Sequence, residues 1–214
     1  MMKIRGFIEG FYNRKPKKND YGFENGNITH YIYAPKEDSY IRQKWRLKDK
    51  SLEARSIPKN IAQVYTLSPG ADFNRKSKKD FNFLLSKFNF AIDKGFSEVG
   101  LLFDDIDINN IGIESDDKDL GKFHGELISE VTTKLGLSNG WFCPSIYCES
   151  FSKKGIQNDK YLEGVSETIN NDLFFLWTGP KVISDFISQD HLKELGQVIK
   201  LSLIHISEPT RQIV

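Results

Sequence analysis

Six short apolar runs, at residues 4–8, 31–34, 62–67, 99–103, 141–144 and 173–177, recur along this chain with longer polar and apolar stretches between them. No other feature constrains the fold as strongly. Strand-length runs separated by helix-length intervals are the pattern of repeated strand-helix units, and such units build a parallel sheet because each strand needs a crossover to start again from the same edge. Two intervals carry a clear helical period. Residues 80–94 place Phe81, Leu84, Leu85, Phe88 and Ile92 at helical spacing, and residues 123–135 repeat the theme with Leu127, Ile128 and Val131. Stripes of this kind face a core.

Each run ends in polar or turn-forming residues. Glu9-Gly10 follows the first, Pro35-Lys36-Glu37-Asp38 the second, Ser68-Pro69-Gly70 the third, Asp104-Asp105 the fourth, Ser145-Ile146-Tyr147 the fifth and Thr178-Gly179-Pro180 the sixth. In a parallel α/β barrel the C-terminal strand ends are where functional side chains gather. The expected fold class is therefore α/β, an incomplete (β/α)8 TIM-type barrel with about six of its eight strands, and an open doubly wound sheet is the alternative that periodicity leaves standing.

Composition removes several function classes. With 30 Lys and Arg against 29 Asp and Glu, the net charge of +1 argues for neither a nucleic-acid partner nor a membrane surface. Two cysteines, Cys143 and Cys148, are too few for a disulfide framework or an all-protein zinc site. The four histidines, His30, His124, His191 and His205, fall in no ligand-spaced set, so neither metal nor cofactor is expected. Without a secretory pattern or a membrane-length apolar run, the chain as written reads as cytoplasmic.

Asp104 and Asp105 are the most chemically pointed pair. Two like charges that close cannot both ionise freely, so one can hold its proton near neutrality and act as a general acid. Neighbours on a regular strand point to opposite faces, so a cooperating pair belongs where the strand dissolves into its loop. A solvated turn is the plain alternative. Two others remain: a calcium loop, because Asp105, Asp107 and Asn109 alternate, and a non-catalytic carbohydrate-binding barrel with Tyr33, Tyr147 and Trp177 at its rim. The calcium pattern has Asn110 where glycine is needed and Asp116 where glutamate is needed.

Seven ordered motifs resemble the catalytic barrel of glycoside hydrolase family 84, the β-N-acetylglucosaminidases that include protein O-GlcNAcase and bacterial hyaluronidase-like enzymes. They are Gly6-Phe7-Ile8-Glu9-Gly10-Phe11-Tyr12, Tyr31-Ile32-Tyr33-Ala34-Pro35-Lys36-Glu37-Asp38, Tyr40-Ile41-Arg42 with Trp45-Arg46, and Leu67-Ser68-Pro69-Gly70. Phe103-Asp104-Asp105-Ile106, Cys143-Pro144-Ser145-Ile146-Tyr147-Cys148 and Trp177-Thr178-Gly179-Pro180-Lys181-Val182 complete the series. The resemblance implies hydrolysis of terminal β-linked N-acetylglucosamine from a glycan or glycoprotein by substrate-assisted retaining catalysis, with Asp104 orienting the substrate's acetamido group and Asp105 as acid and base. It further implies that Gly10 offers its backbone carbonyl to a sugar hydroxyl and that Lys36 donates to the hydroxyl edge. Tyr147 would bond near the reacting centre, while Cys143, Thr178 and Val182 would line the pocket for the N-acetyl methyl.

Two stretches depart from that family. Residues 13–27 carry Pro16, Gly22 and Gly26 with little apolar period, where the family has a helix. Residues 201–211 read as the translation of a transposase-type sequencing adapter, which divides the chain into a partial barrel over 1–200 and a non-native tail over 201–214. On that reading the last two barrel strands are missing, and the 214-residue chain is expected to be poorly soluble and weakly active or inactive while its parent is an active hydrolase.

Overall fold

The computed structural model describes residues 7–10, 28–54, 56–69, 72–104, 117–170, 172–200 and 203–205. Seven strands among them follow chain order, each hydrogen-bonded to its neighbours in sequence. Their parallel pairing and the helices between them make an incomplete α/β barrel. The chain divides into two compact units, residues 1–100 and 101–214, with the division inside the fourth strand. No helix among the described residues is long and apolar enough to cross a membrane.

The first unit contains β1 (Phe7–Gly10), β2 (His30–Tyr33), β3 (Ala62–Leu67), α1 (Lys78–Asp93) and the start of β4 (Glu98–Leu102). Gly10 is in register with Tyr33, and Tyr33 with Tyr65, so β1 and β2 finish level while β3 runs on to Leu67. Ser77 starts α1 by accepting the backbone N–H of Asp80 at 3.2 Å, which satisfies one of the donors a helix start leaves over. Leu84, Phe88 and Ala91 are fully buried on one stripe of that helix. Phe88 meets the ring of Tyr65 edge-on at 6.4 Å, and Tyr65 stacks on Tyr33 at 6.0 Å.

The second unit contains the end of β4, α2 (Asp117–Leu135), β5 (Gly140–Cys143), α3 (Lys160–Thr168), β6 (Leu173–Trp177), α4 (Gln189–Ile199) and β7 (Leu203–His205). All five residues of β6, Leu-Phe-Phe-Leu-Trp, are buried, as expected of a parallel strand covered on both faces. Trp141 packs on Phe174 at 4.8 Å and Phe142 on Phe175 at 5.8 Å. Each such side chain contributes roughly 1.5–3 kcal/mol by leaving water. Helices α2 and α3 approach backbone to backbone: a Cβ on Gly121 would overlap the Tyr161 carbonyl, and one on Gly164 would overlap that of Lys118. Ion pairs of half-buried lysines with Glu167, Lys118 at 2.7 Å and Lys122 at 2.9 Å, flank this seam.

Residues 62–67 and 173–177 form strands with the bounds read from sequence, and the strands at 31–34, 99–103 and 141–144 each begin and end one residue earlier. Helices α3 and α4 were not foreseen. Residues 203–205, set aside above with the tail, lie beside β6 with Leu203 opposite Phe175. Residues 13–27 lie outside the described residues.

Candidate active site at the strand ends

The candidate residues among those described sit at or beyond the C-terminal ends of their strands. In the first unit Gly10 closes β1, and Lys36 is exposed in the turn after β2. Two residues on, Asp38 is buried, and its carboxylate accepts from the Tyr33 hydroxyl and the Tyr40 backbone N–H, both at 2.8 Å. This carboxylate shapes the turn from which Lys36 projects.

The same loop is anchored from α1 by charge. Lys87 is 1 % exposed, and its ammonium donates to the carbonyls of Tyr40, at 3.0 Å, and Leu47. Burial lowers its pKa to about 8 against the raising influence of Asp38 and Asp49. Arg46 grips the Asp80 carboxylate with both Nε, at 3.0 Å, and Nη2, at 2.7 Å, and also pairs with Asp72. The hydrogen bonds from Arg46 hold the Asp80 carboxyl below the usual range, and Trp45 donates to Asp72 at 2.8 Å beneath the Arg46 guanidinium.

In the second unit Asp104 is half-buried in the turn that follows β4, one residue after buried Phe103. Phe103 donates its backbone N–H to the Cys143 carbonyl at 2.9 Å, which ties this strand end to that of β5. Cys143 is buried and unoxidised. Tyr147 is half-buried against Phe151, ring centroids 5.0 Å apart, and its carbonyl accepts the Thr178 N–H at 2.9 Å. The Thr178 hydroxyl donates to the Lys181 carbonyl at 2.8 Å. Glu149 and Ser150 donate backbone N–H groups to Gly179 and Pro180, each at 3.0 Å, drawing the loop of Tyr147 and the loop of Thr178 and Val182 together. Asp105 and the calcium-like stretch after it lie outside the described residues.

Sequence reading missed the polar groups beneath these loops. His124 is buried with its ring stacked on Phe103 at 3.8 Å and 8°, and its Nδ1 lies 2.9 Å from the Tyr161 hydroxyl. Burial pushes the imidazole pKa down to about 3. Tyr161 Oη accepts the Ser145 N–H at 3.0 Å. His191 accepts the Trp177 indole N–H at 2.9 Å and lies 3.4 Å from the Glu149 carboxylate. Only a pairing partner far along the chain distinguishes such residues from surface ones.

Residues 5–206 match the family model of beta-N-acetylglucosaminidase. This chain belongs to that family. Protein O-GlcNAcase from Rattus norvegicus and that from Mus musculus are each 30% identical over 212 residues, covering 91% of this chain and 23% of the relative. The chain thus spans about a quarter of the length of the curated relatives it matches. An O-GlcNAc hydrolase mutant from Thermobaculum terrenum aligns with a TM-score of 0.74 at 22% identity, over 95% of this chain and 47% of that one, a likeness of fold. The β-N-acetylglucosaminidase match continues through β7.

Proposed function

We propose that this chain carries the sugar-binding strand ends of a glycoside hydrolase that removes terminal β-linked N-acetylglucosamine from glycoconjugates by substrate-assisted retaining catalysis. One observation supports this above the rest: a carboxylate, Asp104, follows directly on a strand end that is hydrogen-bonded to the Cys143 strand end, in a chain of the β-N-acetylglucosaminidase family. Ordinary retaining enzymes set acid and nucleophile about 5–5.5 Å apart across the scissile bond, and two adjacent residues of one loop do not straddle a sugar in that way. The nucleophile then comes from elsewhere, and the resemblance to glycoside hydrolase family 84 implies the substrate's own amide oxygen.

In this reading Asp104 accepts the acetamido N–H and stabilises the positive charge that grows as the amide oxygen bonds to the anomeric carbon. Asp105 protonates the departing glycosidic oxygen as its bond to that carbon breaks. Water then attacks the same carbon, gives a proton to Asp105 and reopens the oxazoline, so two inversions restore the starting configuration. Cys143, the Thr178 methyl and Val182 form an apolar seat for the acetyl methyl. Gly10, Lys36 and Tyr147 fix the ring through its hydroxyls and the reacting centre. The substrate class is a glycan or glycoprotein ending in N-acetylglucosamine, without nucleic acid or membrane as partner. The two free thiols suit a reducing, cytoplasmic compartment.

The test is turnover of 4-nitrophenyl N-acetyl-β-glucosaminide and its N-trifluoroacetyl analogue by the longer parent protein. The analogue's weaker amide nucleophile should slow release of 4-nitrophenol by at least about tenfold, and Asp104→Asn or Asp105→Asn should cost roughly two to four orders of magnitude. Equal rates on the two substrates, or full activity without either carboxylate, would refute the mechanism.

A further inference from the structure

We propose that His124, Tyr161 and Ser145 form an uncharged buried relay that fixes the backbone at the ends of β4 and β5, which makes His124 and Tyr161 positioning residues for the candidate site. The proposal extends the functional reading above, because the backbone it concerns carries Asp104 and leads to Tyr147.

All three members are buried, His124 at 3%, Tyr161 at 3% and Ser145 at 5% exposure, and they come from α2, α3 and the loop after β5. A backbone N–H can only donate, so Tyr161 Oη accepts from Ser145 at 3.0 Å. In the relay the tyrosine's own hydrogen goes to His124 Nδ1, 2.9 Å away, which places the imidazole proton on Nε2. Every link is neutral.

Two contacts connect this relay to the strand ends. The His124 ring lies face to face with Phe103, while the Tyr161 ring meets it edge-on at 5.7 Å and 74°, so the imidazole is clamped between them. Phe103 directly precedes Asp104 and is hydrogen-bonded to Cys143, whereas Ser145 lies two residues after Cys143. A displaced Tyr161 hydroxyl would therefore disturb both strand ends at once. The source helices leave it little room to move, because Gly121 and Gly164 bring α2 and α3 into backbone contact beside Tyr161.

Amide hydrogen exchange on the 214-residue chain tests the proposal directly. In Tyr161→Phe, exchange at Phe103, Asp104 and Ser145 should accelerate by about tenfold or more while amides of α4 and β6 change by less than about twofold. His124→Asn, whose side-chain oxygen can take the tyrosine hydrogen bond in place of Nδ1, should restore most of the protection that His124→Leu loses. In wild type the imidazole nitrogen shifts should report an unprotonated Nδ1 and a protonated Nε2. Where the parent turns over the N-acetylglucosaminide, Tyr161→Phe should lower kcat by about 10- to 100-fold with KM within about threefold. Uniform acceleration across residues 117–200, or unchanged protection at Phe103 and Ser145, would overturn the relay. If the exchange pattern holds in a protein that does not cleave the glycoside, the relay stands and the hydrolase reading falls.

Discussion

The two units secure their strand-end loops by opposite electrostatic means. In the first, the segment after β2 is held by ions: Lys87 beneath Tyr40 and Leu47, Arg46 between Asp72 and Asp80, and Asp38 inside its own turn. In the second, the loops after β4, β5 and β6 are held mainly by backbone hydrogen bonds and the neutral set of His124, Tyr161 and Ser145. A buried ion leaves a large penalty behind when its partner is removed, whereas a neutral group is most vulnerable to acquiring a charge. Mutation should therefore hurt the first unit most, and acid the second.

The sharpest way to break this contrast is Lys87→Ala, which deletes a buried stem and orphans two carbonyls. It should destabilise the first unit by about 3–5 kcal/mol, read as a lowered urea midpoint followed by Trp45 fluorescence. A loss below about 1 kcal/mol would mean that the loop holds without its cation. Acid supplies the next effect. The folded pKa of His124, about 3, lies below its unfolded value of about 6.5, so the unfolded chain takes up a proton first as pH falls and the stabilising difference shrinks through that window. At pH 5 this amounts to about 2 kcal/mol relative to pH 7. Urea midpoints at the two pH values should diverge in wild type and by much less in His124→Asn; equal divergence would acquit the imidazole. Arg46→Lys is the mildest change, because it keeps the charge and loses the two-pronged grip on Asp80. With the Arg46 side chain 27 % exposed, a cost of about 1–2 kcal/mol is expected, falling in high salt if the interaction is Coulombic at heart.

What was legible in the sequence follows from the range of the interactions involved. Strands β3 and β6 were readable to the residue because an apolar run bounded by turn formers is a local signal. Helix α3 was not, since it is only nine residues long and one of its four buried positions is Gly164, whose burial comes from backbone approach and leaves no hydrophobic trace. Helix α4 does carry a local signal, Ser188 at its start and His191, Leu195 and Ile199 at four-residue spacing on the face that is buried. At the candidate site the strand-end motifs supplied the residues and the family. The supports under them were hidden, because Arg46 meets Asp80 across 34 positions and His124 meets Tyr161 across 37. In the sequence His124 is one of four histidines in no ligand-spaced set, and only its partner Tyr161 marks it out.

The seam of Gly121 and Gly164 has a consequence for how this protein can diverge. Where two helices touch through their main chains, even one added methyl has nowhere to go, so a library of random variants should return these two glycines almost unaltered while the flanking lysines and glutamates scatter freely. Such positions would look as constrained as any that handles substrate, yet what they protect is the distance between two rods.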